Sequence, residues 1–184
     1  MEVEKLRREY ELEVHWWPYL LDASIPPEGR EREPRTKPDD PPTQLELRGE
    51  RVGITFRRGR RFTPNSHLAL ETAEYAQEIG HDGDGLHRAL FAAHFEGEAN
   101  IGDLETLIEI GGEQGLDRDE LRAVLSEGRY RAQVDERITI AREIGVRGVP
   151  TFIFNERDAV VGAQEYPVFE QVMEQLEVPR RNGA

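Results

Sequence analysis

The sequence predicts an α/β protein, because a long run of helical segments is followed by a change of hydrophobic period. Apolar residues recur at helical spacing from Thr63 to Ile144, which is typical of several amphipathic helices. From Val149 to Val161 the period becomes two, as in paired strands, and a final helical stripe runs from Tyr166 to Leu176. The predicted order is helix, strand, loop, helical block, hairpin and helix.

The composition restricts the function classes. The chain has 184 residues, which is enough for one domain with a hydrophobic core or a small domain with an insertion. Its net charge of -13 argues against nucleic acid as a partner. The longest apolar run, Trp16–Leu21, is too short to span a membrane, and the acidic N-terminus does not resemble a secretory signal. We therefore expect a cytoplasmic protein without a membrane partner.

The chain contains no cysteine. This count excludes disulfides, thiolate catalysis and cysteine-ligated metal centres within these residues. We predict neither a metal nor another cofactor.

The N-terminal third contains a helix, a strand and a loop in the prediction. Val3, Leu6 and Tyr10 have helical spacing, but no capping residue precedes them, so this helix resembles the second half of a longer one. Alternating apolar residues over 12–16 predict a strand that ends at Pro18. Six prolines between positions 26 and 42 predict an extended loop.

Capping residues mark the helical block. Thr63 is predicted to cap a helix that has Pro64 in its first position and ends at Gly80. Asp103 and Asp117 are predicted to cap two further helices. The remaining predicted helices are Leu86–Phe95, Tyr130–Ile144 and Tyr166–Leu176, the last with Pro167 in its first turn.

Several motifs together carry a resemblance to a known family. Gly145–Phe152, lying between a helix and a hairpin, resembles the cis-proline loop of thioredoxin-fold proteins, and Gly162–Gln164 follows the hairpin as expected. With Trp17–Leu21, Ile25–Gly29 and Asn65–His67, the chain resembles the DsbA family over nearly its whole length. The FrnE-like group is the closest branch, and it is related to 2-hydroxychromene-2-carboxylate isomerases and kappa-class glutathione transferases.

The resemblance implies a thioredoxin-like sheet interrupted by an all-helical insertion. Residues 1–65 and 129–184 would form the thioredoxin-like domain, and residues 66–128 the insertion. Family members begin with a strand and a helix that carries Cys-X-X-Cys, or a serine in the isomerase and transferase branches, and these are missing here. Either the natural protein begins upstream of Met1, or a second chain, as in a homodimer, supplies the covering strand; we favour the first.

Three functions follow from the resemblance. The first is a thiol–disulfide oxidoreductase or isomerase that acts on protein or small-molecule thiols and disulfides, with catalytic thiols outside this chain. The second is a non-catalytic protein that binds a peptide or partner through the cis-proline groove. The third is a glutathione-dependent isomerase or transferase.

Candidate substrate-binding residues centre on Val149, Pro150 and Thr151. In the family, the cis bond before this proline turns the preceding backbone outward so that an extended peptide can pair with it; alternatively, Pro150 simply starts an edge strand. The other candidates are Trp17, Asn65, His67 and Gln164. We predict no catalytic residue, because Ser66 has no base across a cleft and Ser66 and His67 are expected to form an exposed first helical turn.

Two polar patterns have a functional and a structural interpretation. His87, His94 and Glu98 would share one helix face and could ligate a metal, but a polar stripe is the better interpretation. The basic run 57–61 resembles a phosphate or partner patch, whereas we favour a solvated hairpin turn.

Overall fold

The computed structural model describes residues 2–81 and 83–181, which fall into two compact units. One unit combines the chain up to Trp17 with the chain from Ala141 onwards, and the other runs from Pro18 to Ile140. The helices are α1 Glu2–Glu9, α2 Gln44–Glu50, α3 His67–Glu78, α4 Gly83–Phe95, α5 Leu104–Glu113, α6 Arg118–Glu127, α7 Arg131–Glu143 and α8 Tyr166–Gln175. The strands are β1 Arg30–Glu31, β2 Phe62–Thr63, β3 Thr151–Phe154 and β4 Asp158–Val161.

The first unit packs α1 and α8 with the β3–β4 hairpin. Leu6, Tyr10, Phe169 and Met173 are its buried centre, and the ring of Phe152 meets that of Phe169 edge-on at 4.8 Å between centroids. The predicted N-terminal helix, hairpin and final helix are all confirmed, because each has a strong local signal.

The predicted strand over residues 12–16 is wrong. Leu12, Val14 and Trp16 are half-buried while the residues between them are exposed, so the two-faced pattern that motivated the prediction is present. A strand also requires a neighbour that shares its hydrogen bonds. Among the described residues, β3 pairs only with β4, and the N-terminal segment contributes only an isolated bridge from Tyr10 to Arg180.

The second unit contains α3 to α6 around one hydrophobic cluster. Leu86, Leu107 and Leu121 are fully buried in it. The predicted caps are confirmed, since the Asp103 carboxylate accepts from the Thr106 N–H and the Asp117 carboxylate from the Glu120 N–H. Residues 66–128, predicted as the helical insertion, lie within this unit.

The start of α3 differs from its prediction. Thr63 is in β2, opposite Arg30, and the N-cap position is Ser66. The Asn65 side chain performs the capping, because its Oδ1 accepts from the His67 N–H at 2.8 Å.

Helix α2 was not predicted from the sequence. Thr43 and Glu46 form a capping box at its start, a local signal hidden among prolines and charges.

Taken together, the described elements make a helix-rich mixed α/β molecule with small sheets. Within the described part of the chain, none of the helices combines the length and apolar character that a membrane span needs.

Candidate substrate-binding loop

The loop before β3 is tied down on both sides of Val149. The Val149–Pro150 peptide bond is cis. The Gly162 N–H donates to the Pro150 carbonyl at 2.8 Å, and the Thr151 hydroxyl donates to the Gly148 carbonyl at 2.7 Å. The first bond holds the loop against the segment that follows β4, and the second closes a turn within the loop.

Val149 itself is left open. Its exposed fraction is 54%. No group in residues 2–81 and 83–181 forms a hydrogen bond with its backbone N–H or C=O, and in the same part of the chain one edge of β3 has no neighbouring strand. An extended chain could satisfy both sets of groups as an added strand.

Gln164 supports this loop from the segment after the hairpin. Its side-chain Nε2 donates to the Val161 carbonyl at 2.8 Å, and its backbone N–H donates to the Gly162 carbonyl at 3.0 Å. Trp17 belongs to the same unit and is 50% exposed. The structure gives Gln164 a supporting role, and Trp17 an open aromatic surface.

Asn65 connects two of the sequence motifs within the second unit. Its Nδ2 donates to the Ile25 carbonyl at 2.7 Å, while its Oδ1 caps α3. Both ends of the amide are therefore used internally, which makes Asn65 a structural residue in this unit.

His67 is not the exposed helical residue that the sequence predicted. Its Nδ1 lies 3.0 Å from Glu71 Oε1 and its Nε2 lies 3.0 Å from Asp135 Oδ1. Carboxylates only accept, so both ring nitrogens donate and the ring is an imidazolium. The hydrogen bond to Glu71 raises the pKa of His67 above its usual value, burial opposes this, and Asp135 adds to it.

A buried polar layer accompanies His67 between α3 and α7. Glu71 and Glu74 are only 1% and 4% exposed. The Gln133 Nε2 donates to Glu74 at 3.0 Å and the Arg137 Nη1 lies 2.9 Å from the same carboxylate. Burial raises the pKa of Glu74, although Arg137 and the hydrogen bond from Gln133 oppose it. These carboxylates were missed in the sequence, where α3 was interpreted as an apolar stripe.

The shared helix face of His87, His94 and Glu98 does not form. Helix α4 ends at Phe95, so Glu98 lies beyond it with a positive φ of 57°. His87 Nδ1 is 2.7 Å from the Gly83 carbonyl oxygen, and His94 contacts Arg60. The described residues contain no cluster of three side chains able to hold a metal.

Comparison with known proteins identifies the family. The family model described as a DSBA-like thioredoxin domain matches residues 1–174. The chain belongs to this family. It is 27% identical over 165 residues to the uncharacterized protein YwbO of Bacillus subtilis (strain 168), covering 89% of this chain and 82% of that protein.

A solved structure of a DsbA relative supports the same fold. The crystal structure of a probable DsbA oxidoreductase from Streptomyces coelicolor matches with a TM-score of 0.65 and 29% sequence identity. The match covers 71% of this chain and 56% of that chain, so this chain corresponds to little more than half of the Streptomyces protein. The predicted thioredoxin-like DsbA fold is confirmed, and the 184 residues contain no Cys-X-X-Cys motif.

Proposed function

We propose that this DsbA-like chain holds an extended substrate for thiol–disulfide exchange, in the manner of a FrnE-like oxidoreductase. The observation that carries the proposal is the exposed Val149 backbone, whose N–H and C=O have no partner in residues 2–81 and 83–181. Because the 184 residues contain no cysteine, the exchanging thiols come from outside them. The cytoplasmic location expected from the sequence belongs to the same proposal.

Pairing through the backbone would allow substrates of many sequences. A peptide laid beside Val149 would exchange main-chain hydrogen bonds with its backbone N–H and C=O. Main-chain bonds do not depend on the peptide's side chains, so this loop suits many proteins that carry a disulfide. The hydrogen bonds from Gly162 to Pro150 and from Thr151 to Gly148 hold the loop in the conformation that exposes Val149.

The test removes the backbone donor without removing the side chain's bulk. A fluorescent peptide carrying a mixed disulfide with glutathione is titrated and its anisotropy recorded. Val149→Pro lacks the N–H and is expected to weaken binding at least fivefold, whereas Val149→Ala keeps it and stays within twofold of the wild type. Near-ultraviolet circular dichroism confirms that both variants fold. Equal affinity for Val149→Pro and Val149→Ala contradicts the proposal.

The absence of cysteine favours a second candidate, a non-catalytic binding protein that uses the same loop. The intact mass of the protein from its own cells, with and without thiol alkylation, separates the two. A mass above 21.1 kDa with alkylatable thiols supports the oxidoreductase, and a mass equal to this sequence without thiols supports the binding protein.

Turnover that depends on added glutathione would instead indicate the isomerase or transferase branch. A native mass measurement would detect a homodimer.

A further inference from the structure

The second unit contains a pocket with an unbalanced charge. Its volume is about 260 Å³, and Arg60 and Arg61 on one side face Glu98 and Ala99 on the other. Phe62 and Pro64 complete the lining. The volume is below the roughly 300–1,000 Å³ of pockets that take drug-sized ligands, so the occupant is small.

Arg60 is held in place by a neutral partner. Its Nη2 lies 2.9 Å from His94 Nε2 and 3.0 Å from Nδ1, and its guanidinium lies over the Phe95 ring at 5.6 Å from the centroid. A guanidinium cannot accept a hydrogen bond and its positive charge disfavours a second cation beside it, so the imidazole is neutral and at most one of its nitrogens accepts. Burial, with Arg60 and Arg32 nearby, lowers the pKa of His94 to about 4. Arg60 is therefore positioned while its full positive charge remains.

The two arginines of the pocket lack a carboxylate at ion-pair distance within the described part of the chain. In residues 2–81 and 83–181, neither Arg60 nor Arg61 forms an ion pair with a carboxylate. Among the described residues that line the pocket, Glu98 is the acidic one, and it pairs with Arg57, whose Nε lies 3.1 Å from its Oε2. Arg32 adds a third positive charge near Arg60, and its backbone N–H donates to the Arg61 carbonyl at 2.8 Å.

The basic run therefore divides into two pairs with different roles. Arg57 pairs with Glu98, and Arg58 pairs with Glu46 at 2.6 Å, so both are structural. Arg60 and Arg61 form no ion pair with a carboxylate among the described residues, although the charge of Glu98 also acts on Arg60, in a chain whose net charge is -13. Such a local excess of positive charge destabilises the folded state by repulsion unless a ligand neutralises it.

We propose that this pocket binds a small dianion, a phosphate group such as that of a phosphate monoester, through Arg60 and Arg61. Two guanidinium groups match the oxygens of a phosphate by parallel hydrogen bonds. The positive charges of Arg60 and Arg61, with Arg32 near Arg60, favour a dianion, and Phe62 and Pro64 offer an apolar wall to the organic part of the ligand.

The experiment titrates the full chain with inorganic phosphate at pH 7.5 and constant ionic strength, following arginine side-chain N–H signals by NMR. We expect a saturable shift of the Arg60 and Arg61 signals. Arg60→Gln and Arg61→Gln should each weaken phosphate binding about tenfold. Arg60→Lys keeps the positive charge but cannot donate two parallel hydrogen bonds, and it should weaken binding about threefold. The matched control is Arg35→Gln, an exposed arginine outside the lining, which should change affinity less than twofold.

Three outcomes overturn the proposal. They are a shift that does not saturate, equal weakening by Arg35→Gln, and succinate binding as tightly as phosphate, since the last would mean that charge alone is recognised. Thermal unfolding checks each variant. If Arg60→Gln does not fold, Arg61→Gln carries the test, because Arg61 is exposed and its only hydrogen bond within residues 2–81 and 83–181 is the one that its backbone carbonyl accepts from Arg32.

Discussion

His67 and His94 lie in the same helical unit, and their surroundings give them different protonation states. His67 is between the carboxylates of Glu71 and Asp135, which accept from both of its ring nitrogens. His94 is buried with Arg60 against its ring and Arg32 nearby, and burial together with these positive charges keeps the ring neutral. The partner, and not the residue type, sets the protonation state of each ring.

The two regions also differ in how their charges are balanced. Around His67, the acidic groups meet cations from α3 and α7, so the region neutralises itself. Around His94, the cations Arg60 and Arg61 meet a neutral ring and a carboxylate that is already paired. We expect a cluster with balanced charges to stabilise the fold and a cluster with excess positive charge to bind an anion. The following predictions test this contrast.

Glu71→Ala should have the largest effect on stability. It removes a carboxylate that is 1% exposed and leaves the His67 cation with only Asp135. We expect the free energy of unfolding in urea to fall by about 3 kcal/mol, the low end for breaking a buried pair, because Glu71 Oε2 has no hydrogen-bond partner within the described residues. Glu109→Ala, an exposed position on α5, is the control; similar losses for both variants would show that the cluster stabilises nothing.

His94 should make the protein less stable in mild acid. Its folded pKa of about 4 lies below the usual 6.5, so the unfolded chain binds more protons between these values and stability falls as the pH falls through that window. Relative to His94→Gln, whose amide oxygen still accepts from Arg60, the wild type should lose about 1 kcal/mol between pH 7 and pH 5 after screening. Denaturant unfolding at both pH values measures the difference, and an equal pH response of both proteins would exclude a neutral His94.

His67 should show the opposite pH response, with a smaller size. Its pKa is raised in the folded state, so its stabilisation is complete below pH 6.5 and is lost as the pH rises through the folded value. The wild type's advantage over His67→Gln should decrease by less than about 1 kcal/mol towards pH 9, because the Asp135 side chain is 64% exposed. The same unfolding series, extended to pH 9, is the measurement; an advantage that grows with pH would contradict the imidazolium assignment.

The sequence predicted the elements whose signals are local. The caps Asp103 and Asp117, the β3–β4 hairpin and the Pro167 start of α8 all depend on neighbours within a few residues, and all are present. The capping box at Thr43 had the same kind of signal and was obscured by the surrounding prolines. Local chemistry therefore accounts for most of the helices.

The remaining features depend on residues far apart in the chain. The pattern over residues 12–16 describes two faces, but it contains no information on whether a strand lies beside it. His67 meets Asp135, 68 positions away, and Arg60 meets His94, 34 positions away. The basic run 57–61 showed its charge in the sequence, but only the positions of Glu98 and Glu46 reveal which arginines remain uncompensated.

Glu98→Gln should have the smallest effect of these variants, and it tests whether the charge balance of the pocket controls phosphate binding. The change removes the one carboxylate of the pocket lining and frees Arg57, so the local positive charge increases. We expect phosphate affinity to rise about threefold, since one neighbouring charge is screened by solvent. Glutamine fits the positive φ of position 98 as glutamate does, and Glu96→Gln, an exposed neighbour, should change affinity less than twofold. Equal gains for Glu98→Gln and Glu96→Gln would mean that the overall negative charge of the chain controls phosphate binding, and the balance of charge inside the pocket would then have no part in it.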